Sequence, residues 1–316
     1  LGRTRASFPL PPLAARLGQV TAELRDGRGF ALIRGIPVDR LGEAEASTVL
    51  RGIGQYLGRP VPQTVDGHTV CHVREADSRG GAAPPPAHRT RAALPFHTDE
   101  ADIAGLLCLQ QARSGGRTLL ASAAAVHNAV LESRPDLAGG LYDVRFFAQQ
   151  AEQFPGERSY LAAPLITRHG TRPSMRYDRA RLNAGQHLVQ DSPAHGPDAA
   201  DASGRTLYDV IEATAASPAL RLDIDLRPGD LLLFDNHIVL HARTAFEDFA
   251  EPERKRHLLR LWLARHDDGP APGGPADRRT TPHTRGGVTP HDVIRPRSLR
   301  PAHGGCGHPR GRHGST

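Results

Sequence analysis

The 316-residue chain has only three cysteines, one tryptophan, one methionine and one lysine. Cys71, Cys108 and Cys306 are odd in number and far apart, so they build neither a disulfide framework nor a CxxC pair. Such sparse thiols fit a reducing compartment, and a cytoplasmic location is expected. No run of 18 apolar residues occurs, so no transmembrane helix and no membrane partner are expected. The opening LGRTRASFPLPPLAARLG carries two early arginines without an apolar stretch behind them, and does not read as a secretory signal. There is no internal repeat and no HExxH, the helical motif of zinc proteases. Lys255 is the sole lysine, which reads as the coding bias of a GC-rich genome rather than as chemistry.

The net charge of +6 is not spread over the chain. Residues 269–316 hold eight arginines against Asp277 and Asp292, a net of +6, so residues 1–268 balance at 32 basic and 32 acidic. The balanced part offers no overall electrostatic footprint for a polyanion, and no nucleic-acid partner is expected. From about Asp267 the chain turns to Pro, Gly, Arg, His and Thr without periodicity. The expected organisation is one domain over 1–267 and a disordered basic tail over 268–316. His303, Cys306, His308 and His313 cluster in that tail, at a spacing that matches no zinc motif.

Residues 11–26 place Leu13, Leu17, Val20 and Leu24 on one helical stripe, opened by prolines and stopped by Gly27. GFALIRGIPV (29–38) reads as a strand and 42–57 as a second helix. Residues 76–93 form a Gly-, Ala-, Pro- and Arg-rich loop. LPFHTDEADIAGLLCLQQA (94–112) and RTLLAS (117–122) read as strands, with Ser122 capping a helix over 123–134. Residues 135–220 are mixed, with a polar stretch at 191–204 expected to be a surface insertion. RLDIDL, LLLFDN, HIVLHARTAF and HLLRLWLA then follow as short strands joined by turns. This pattern predicts an α+β fold, mainly β: a β-sandwich or jelly roll, with helices supplied mostly by the first half.

Reactive Fe(II) needs few protein ligands and several open positions. Two imidazoles and one carboxylate on one face of the octahedron provide that. His97-Thr98-Asp99 supplies two such ligands in one step, but HxD is a weak signal. His266-Asp267-Asp268 repeats it at the edge of the tail. The bland reading of His97-Thr98-Asp99 is a surface histidine beside a capping aspartate. His241, in the apolar run Ile238-Val239-Leu240, needs a partner if buried. A backbone carbonyl would serve as well as a metal, and His237 is a rival four residues earlier. Arg256 precedes and Arg260 lies within an apolar strand, where a guanidinium demands an anion. That anion is either a dicarboxylate co-substrate or an Asp or Glu on a neighbouring strand.

LPFHTDEADIAGLLCL, SGGRTLLAS, RPGDLLLFDNHIVLHARTAF and ERKRHLLRLWL together resemble the taurine dioxygenase / 2,4-D dioxygenase family of Fe(II)/2-oxoglutarate oxygenases, and DGRGFALIRGIPV resembles its entry strand. The resemblance spans roughly residues 10–265. It implies a double-stranded β-helix (jelly roll) core with flanking helices, and an iron triad of His97, Asp99 and His241. It implies that Arg256 and Thr118 hold 2-oxoglutarate, and that Arg260 is a second arginine near the site, open to co-substrate or substrate. The reaction implied consumes O2 and 2-oxoglutarate, releases succinate and CO2, and oxidises, most simply by hydroxylation, a C–H bond of a small molecule that carries a carboxylate or amino-acid group. A homo-oligomer is compatible with the sequence. Three other classes compete: a non-catalytic jelly roll binding a metal or small acid, a zinc hydrolase using the same ligands, and a nucleic-acid binder acting through the tail.

Overall fold

The structure is a computed structural model that describes residues 8–64, 66–75, 89–149, 160–169, 172–190 and 202–266. Its elements run α1 (Pro11–Arg25), β1 (Phe30–Ile33), α2 (Glu43–Leu57), β2 (Arg59–Pro60), β3 (Val70–Val73), β4 (Leu94–His97), β5 (Ile103–Gln110), β6 (Ser114–Gly115), β7 (Thr118–Ser122), α3 (Ala123–Ser133) and β8 (Val144–Ala148). They continue with β9 (Tyr160–Pro164), β10 (Ile166–His169), β11 (Arg172–Met175), α4 (Arg179–Gln190), α5 (Ala202–Ala216), β12 (Arg221–Ile224), β13 (Leu231–Asp235), β14 (Val239–Arg243), β15 (Phe246–Glu247) and β16 (His257–Ala264).

Two antiparallel sheets form the centre. The larger has the order β1-β13-β5-β16-β2, with β3 also paired to β16; the smaller has the order β12-β7-β14-β4. Side-chain alternation along each strand decides what each face meets. On β13, Leu232 and Phe234 join a core with Leu120 of β7 and Val239 of β14, so this core lies between the sheets. Leu231 and Leu233 point the other way, onto Leu17 and Leu24 of α1 and Leu50 and Leu57 of α2. The outer face of the smaller sheet, through Leu119, Ala121, Leu240 and Ala242, is covered by α3, α4 and α5.

The expected strands and the first three helices are present. Ser122 caps α3, its Oγ accepting the Ala125 N–H at 3.4 Å. "Mainly β" needs correction: among the described residues helix and strand occupy nearly equal lengths of chain. Both sheets are apolar on both faces, so each outer face needs a helical cover. The helices are also less confined to the first half than expected, because α4 and α5 lie in the segment read as mixed. Residues 202–204, assigned to a polar insertion, begin α5, while 191–201 lie outside the described residues. So do 76–88 of the expected loop and 267–316, which hold the tail and its His/Cys cluster.

Candidate metal centre

Period-two alternation aims four predicted or newly found polar side chains into the space between the sheets. On β14, His241 and Arg243 share the face of Val239; on β16, Arg260 shares the face of Leu258 and Trp262; on β7, Thr118 shares the face of Leu120. Strand pairing sets His241 directly opposite His97 of β4. Asp99 follows two residues after His97, just past the strand end.

These three residues converge. One ligand atom from each of His97, Asp99 and His241 lies within 4.8 Å of the others. His97 Nε2 stands 3.9 Å from Asp99 Oδ1, and His241 Nε2 stands 3.8 Å from Asp99 Oδ2. Both are too long for hydrogen bonds, as expected of groups arranged around a common ion. His97 Nδ1 lies 2.9 Å from the Pro95 carbonyl. A carbonyl can only accept, so Nδ1 carries the proton and Nε2 offers its lone pair. His241 is 6% exposed, and its Nδ1 has no hydrogen-bond partner. Burial, then the neighbouring His97, push its pKa down to about 3. The ring is therefore neutral near pH 7 and releases no proton on taking a metal.

Asp99 is held ionised. Burial alone would raise its pKa, but Arg260, His241, His97 and the Trp262 N–H outweigh that and bring it to about 2. Trp262 Nε1 donates to Oδ2 at 2.9 Å and Arg260 Nη1 to Oδ1 at 3.3 Å. Asn236 Oδ1 accepts the Asp99 N–H at 3.0 Å. Arg260 is fixed in turn, its Nε donating to Gln63 Oε1 at 2.7 Å. The anion that Arg260 requires is thus a protein carboxylate, Asp99, whatever else it contacts.

The rival histidines are accounted for. His237 is 1% exposed, with Nε2 2.8 Å from Asp102 Oδ1 and Nδ1 2.9 Å from Ser174 Oγ. It ties buried segments together and does not join the triad. His266 Nε2 lies 3.1 Å from the Gln55 carbonyl, and the Asp267-Asp268 that follow lie outside the described residues.

The two histidines of the triad open into a pocket of about 430 Å³, whose polar lining is completed by Thr118, Arg243, Arg256 and Arg260. Arg256 is 4% exposed, and burial followed by the nearby Arg243 pushes its pKa down to about 10. It stays cationic at neutral pH. Its Nη2 donates to the Gly116 carbonyl at 3.3 Å, while its Nη1 has no hydrogen-bond partner. Gly115 and Gly116 both have φ +72°, and a Cβ on Gly116 would come within 2.8 Å of Arg256 Nε. The Gly-Gly of SGGRT therefore lets the backbone close against the guanidinium.

Arg243 went unnoticed in the sequence. It is 6% exposed, and its Nη2 donates to the carbonyls of Thr90 at 2.8 Å and Ala92 at 2.5 Å. Arg243 and Arg256 lie 4.9 and 5.2 Å from the centre of the Phe246 ring. The available signal was its place two residues after His241 on an apolar strand, hence on the same face. Gln63, Asn236 and Trp262 were also missed; of these only Trp262, two residues after Arg260, shared a readable face.

This set fits a metal with an anionic co-ligand. The donors are two neutral imidazoles and one ionised carboxylate, beside an arginine with a buried unsatisfied N–H. Three guanidiniums line the pocket, and Asp99 is the carboxylate beside them.

Residues 2–262 match the family model described as taurine catabolism dioxygenase TauD, TfdA family. The chain is 31% identical over 270 residues to FR-33289 synthase of Streptomyces rubellomurinus, covering 82% of this chain and 76% of that protein. It is 32% identical over 265 residues to the taurine hydroxylase-like protein SAT17 of Stachybotrys chartarum, covering 81% of this chain and 66% of that protein. Among solved structures, an asparagine oxygenase in complex with Fe(II), 3-hydroxyasparagine and succinate aligns with a TM-score of 0.59 at 18% identity, covering 82% of each chain. That likeness shows the fold.

Proposed function

We propose specific residue roles and a substrate class for this chain, which belongs to the TauD/TfdA family and is an Fe(II)- and 2-oxoglutarate-dependent dioxygenase. His97, Asp99 and His241 hold the iron. Arg256, through its unsatisfied Nη1, takes the distal carboxylate of 2-oxoglutarate, with Thr118 beside it and Arg243 adding positive charge. Bound iron with 2-oxoglutarate and O2 supplies the oxidising power, and succinate and CO2 leave. The protein's own work is positional: Trp262 and Arg260 fix both carboxylate oxygens of Asp99, and the sheets exclude bulk water. No side chain is needed as a general base. The outcome is hydroxylation of a C–H bond in a small substrate bearing a carboxylate or amino-acid group, and the pocket's excess of guanidinium over carboxylate favours such an anion. Two facing sheets with the triad between them support a double-stranded β-helix core within residues 1–267.

One observation carries the site assignment: a buried two-histidine, one-aspartate cluster opens into a pocket lined by three arginines. Its test is 2-oxoglutarate binding to the Fe(II) protein without oxygen. Arg256→Ala should weaken that binding strongly while iron still binds. Unchanged 2-oxoglutarate affinity with altered affinity for the primary substrate would transfer the co-substrate role from Arg256 to Arg260.

A further inference from the structure

A second cluster of two imidazoles and one carboxylate lies against β16, on the face away from the pocket. His257 opens β16, His72 lies on the adjoining β3, and Glu43 is the first residue of α2. His257 shares the face of Leu259, Leu261 and Leu263, which packs under α1 and α2, whereas Arg260 and Trp262 face inward. His72 pairs in register with Leu259 and is on that outer face too.

The three donors are close. His72 Nδ1 lies 2.8 Å from His257 Nε2. Glu43 Oε2 lies 3.6 Å from His72 Nδ1, and Glu43 Oε1 lies 3.6 Å from His257 Nδ1. One ligand atom from each falls within 4.8 Å of the others. A tetrahedral zinc ion with bonds near 2.0–2.1 Å separates its ligand atoms by roughly 3.3 Å. The 2.8 Å separation of His72 Nδ1 from His257 Nε2 and its 3.6 Å separation from Glu43 Oε2 bracket that value, and the Glu43 carboxylate, which stands 3.6 Å from the other ring nitrogen of His257, must turn toward Nε2 to complete the set. Both imidazoles are neutral: burial pushes His257 down to about 4 and also lowers His72. Between two neutral rings only one proton can occupy the 2.8 Å contact, and a divalent ion would replace it. His72 is 40% and Glu43 53% exposed at the side chain, which gives the ion a route in and leaves water for a fourth position. Arg74, at 3.3 Å, bonds Glu43 through Oε1, leaving Oε2 available. The oxygenase reaction uses none of these residues.

We propose that Glu43, His72 and His257 form a second metal site, taking Zn(II) with water as the remaining ligand. The site ties α2 and β3 to the head of β16, the strand that follows Arg256 and bears Arg260. Nitrogen-rich borderline donors in a small tetrahedral cage suit zinc over magnesium or calcium. The proposal does not depend on the identity of the first site.

The test uses the full chain, stripped by chelator and equilibrated with Zn(II), with bound metal counted after dialysis. Asp99→Ala combined with His241→Ala disables the first cluster, and His72→Ala or Glu43→Gln is then added to that background. Each addition should remove one further equivalent of zinc. Each should also abolish the zinc-dependent rise in Tm that the background retains. Reading the difference between variants removes any contribution from histidines of the tail. Glu43 is half-exposed at a helix start, so Glu43→Gln stays informative if His72→Ala fails to fold. Equal zinc content and an equal Tm rise with and without these substitutions would overturn the site.

Discussion

A cluster of two histidines and a carboxylate lies against each face of β16, and the difference between the two lies in what surrounds the donors. On the inner face Asp99 is buried, accepts bonds from Trp262 and Arg260 on its two oxygens, and sits behind two histidines that line a pocket with further arginines. On the outer face Glu43 is half in water, bonded by the exposed Arg74 at a helix end. A ligand set alone therefore does not make a catalytic centre. A fixed carboxylate, open positions and an anion-binding wall beside the metal do, and only the inner cluster has them among the described residues. The outer cluster has the makings of a clasp.

The comparison is broken most forcefully by Asp99→Ala. Turnover should vanish and Fe(II) binding should drop out, read as succinate formation and bound iron, whereas Glu43→Gln should leave turnover intact. Arg256→Ala comes next. Loss of a charge-assisted bond to a buried carboxylate is worth roughly 1.5–3 kcal/mol, so the 2-oxoglutarate Kd should rise about tenfold to a hundredfold. Trp262→Phe keeps the ring but removes the N–H on Asp99 Oδ2. Iron affinity should fall by about tenfold, as when other groups that orient a metal ligand are lost, with little change in 2-oxoglutarate affinity at saturating iron.

A smaller effect concerns pH. His241 and His257 have folded pKa values of about 3 and about 4 against 6.5 when exposed. Between those values and 6.5 the unfolded chain binds more protons than the folded one, so stability falls as pH falls through that window. Asp99, about 2 folded against 3.8, adds a further loss only between about pH 3.8 and 2. Urea melts of the metal-free protein should show lower midpoints at about pH 5 than at about pH 7. His257→Gln should flatten that slope, and an unchanged slope would mean that His257 is not buried neutral.

Much of the catalytic face was legible because strand alternation makes it so. His241 in an apolar run and Arg260 in HLLRLWLA each break the apolar pattern and so demand a partner, and the HTD step gains meaning beside them. Arg243 obeyed the same rule and was passed over. The outer cluster was not legible: His72 lies on a four-residue edge strand, and its closeness to His257 and Glu43 depends on pairings across 185 and 29 residues. Helices α4 and α5 were obscured for a related reason. Their stability comes from packing on the smaller sheet through Leu182, Leu207 and Ile211, and the flanking composition is rich in Gly, Ala and Asp. The weight of helix against strand was misjudged because sheets apolar on both faces imply covers that local periodicity does not locate.

The inner triad is tested most directly by anaerobic titration of Fe(II) and 2-oxoglutarate, followed by visible absorption. The wild-type protein should develop a weak charge-transfer band only when both are present, and Asp99→Ala should develop none. A full band in Asp99→Ala, or none in the wild type with both bound, would contradict the assignment of His97, Asp99 and His241 as the iron site.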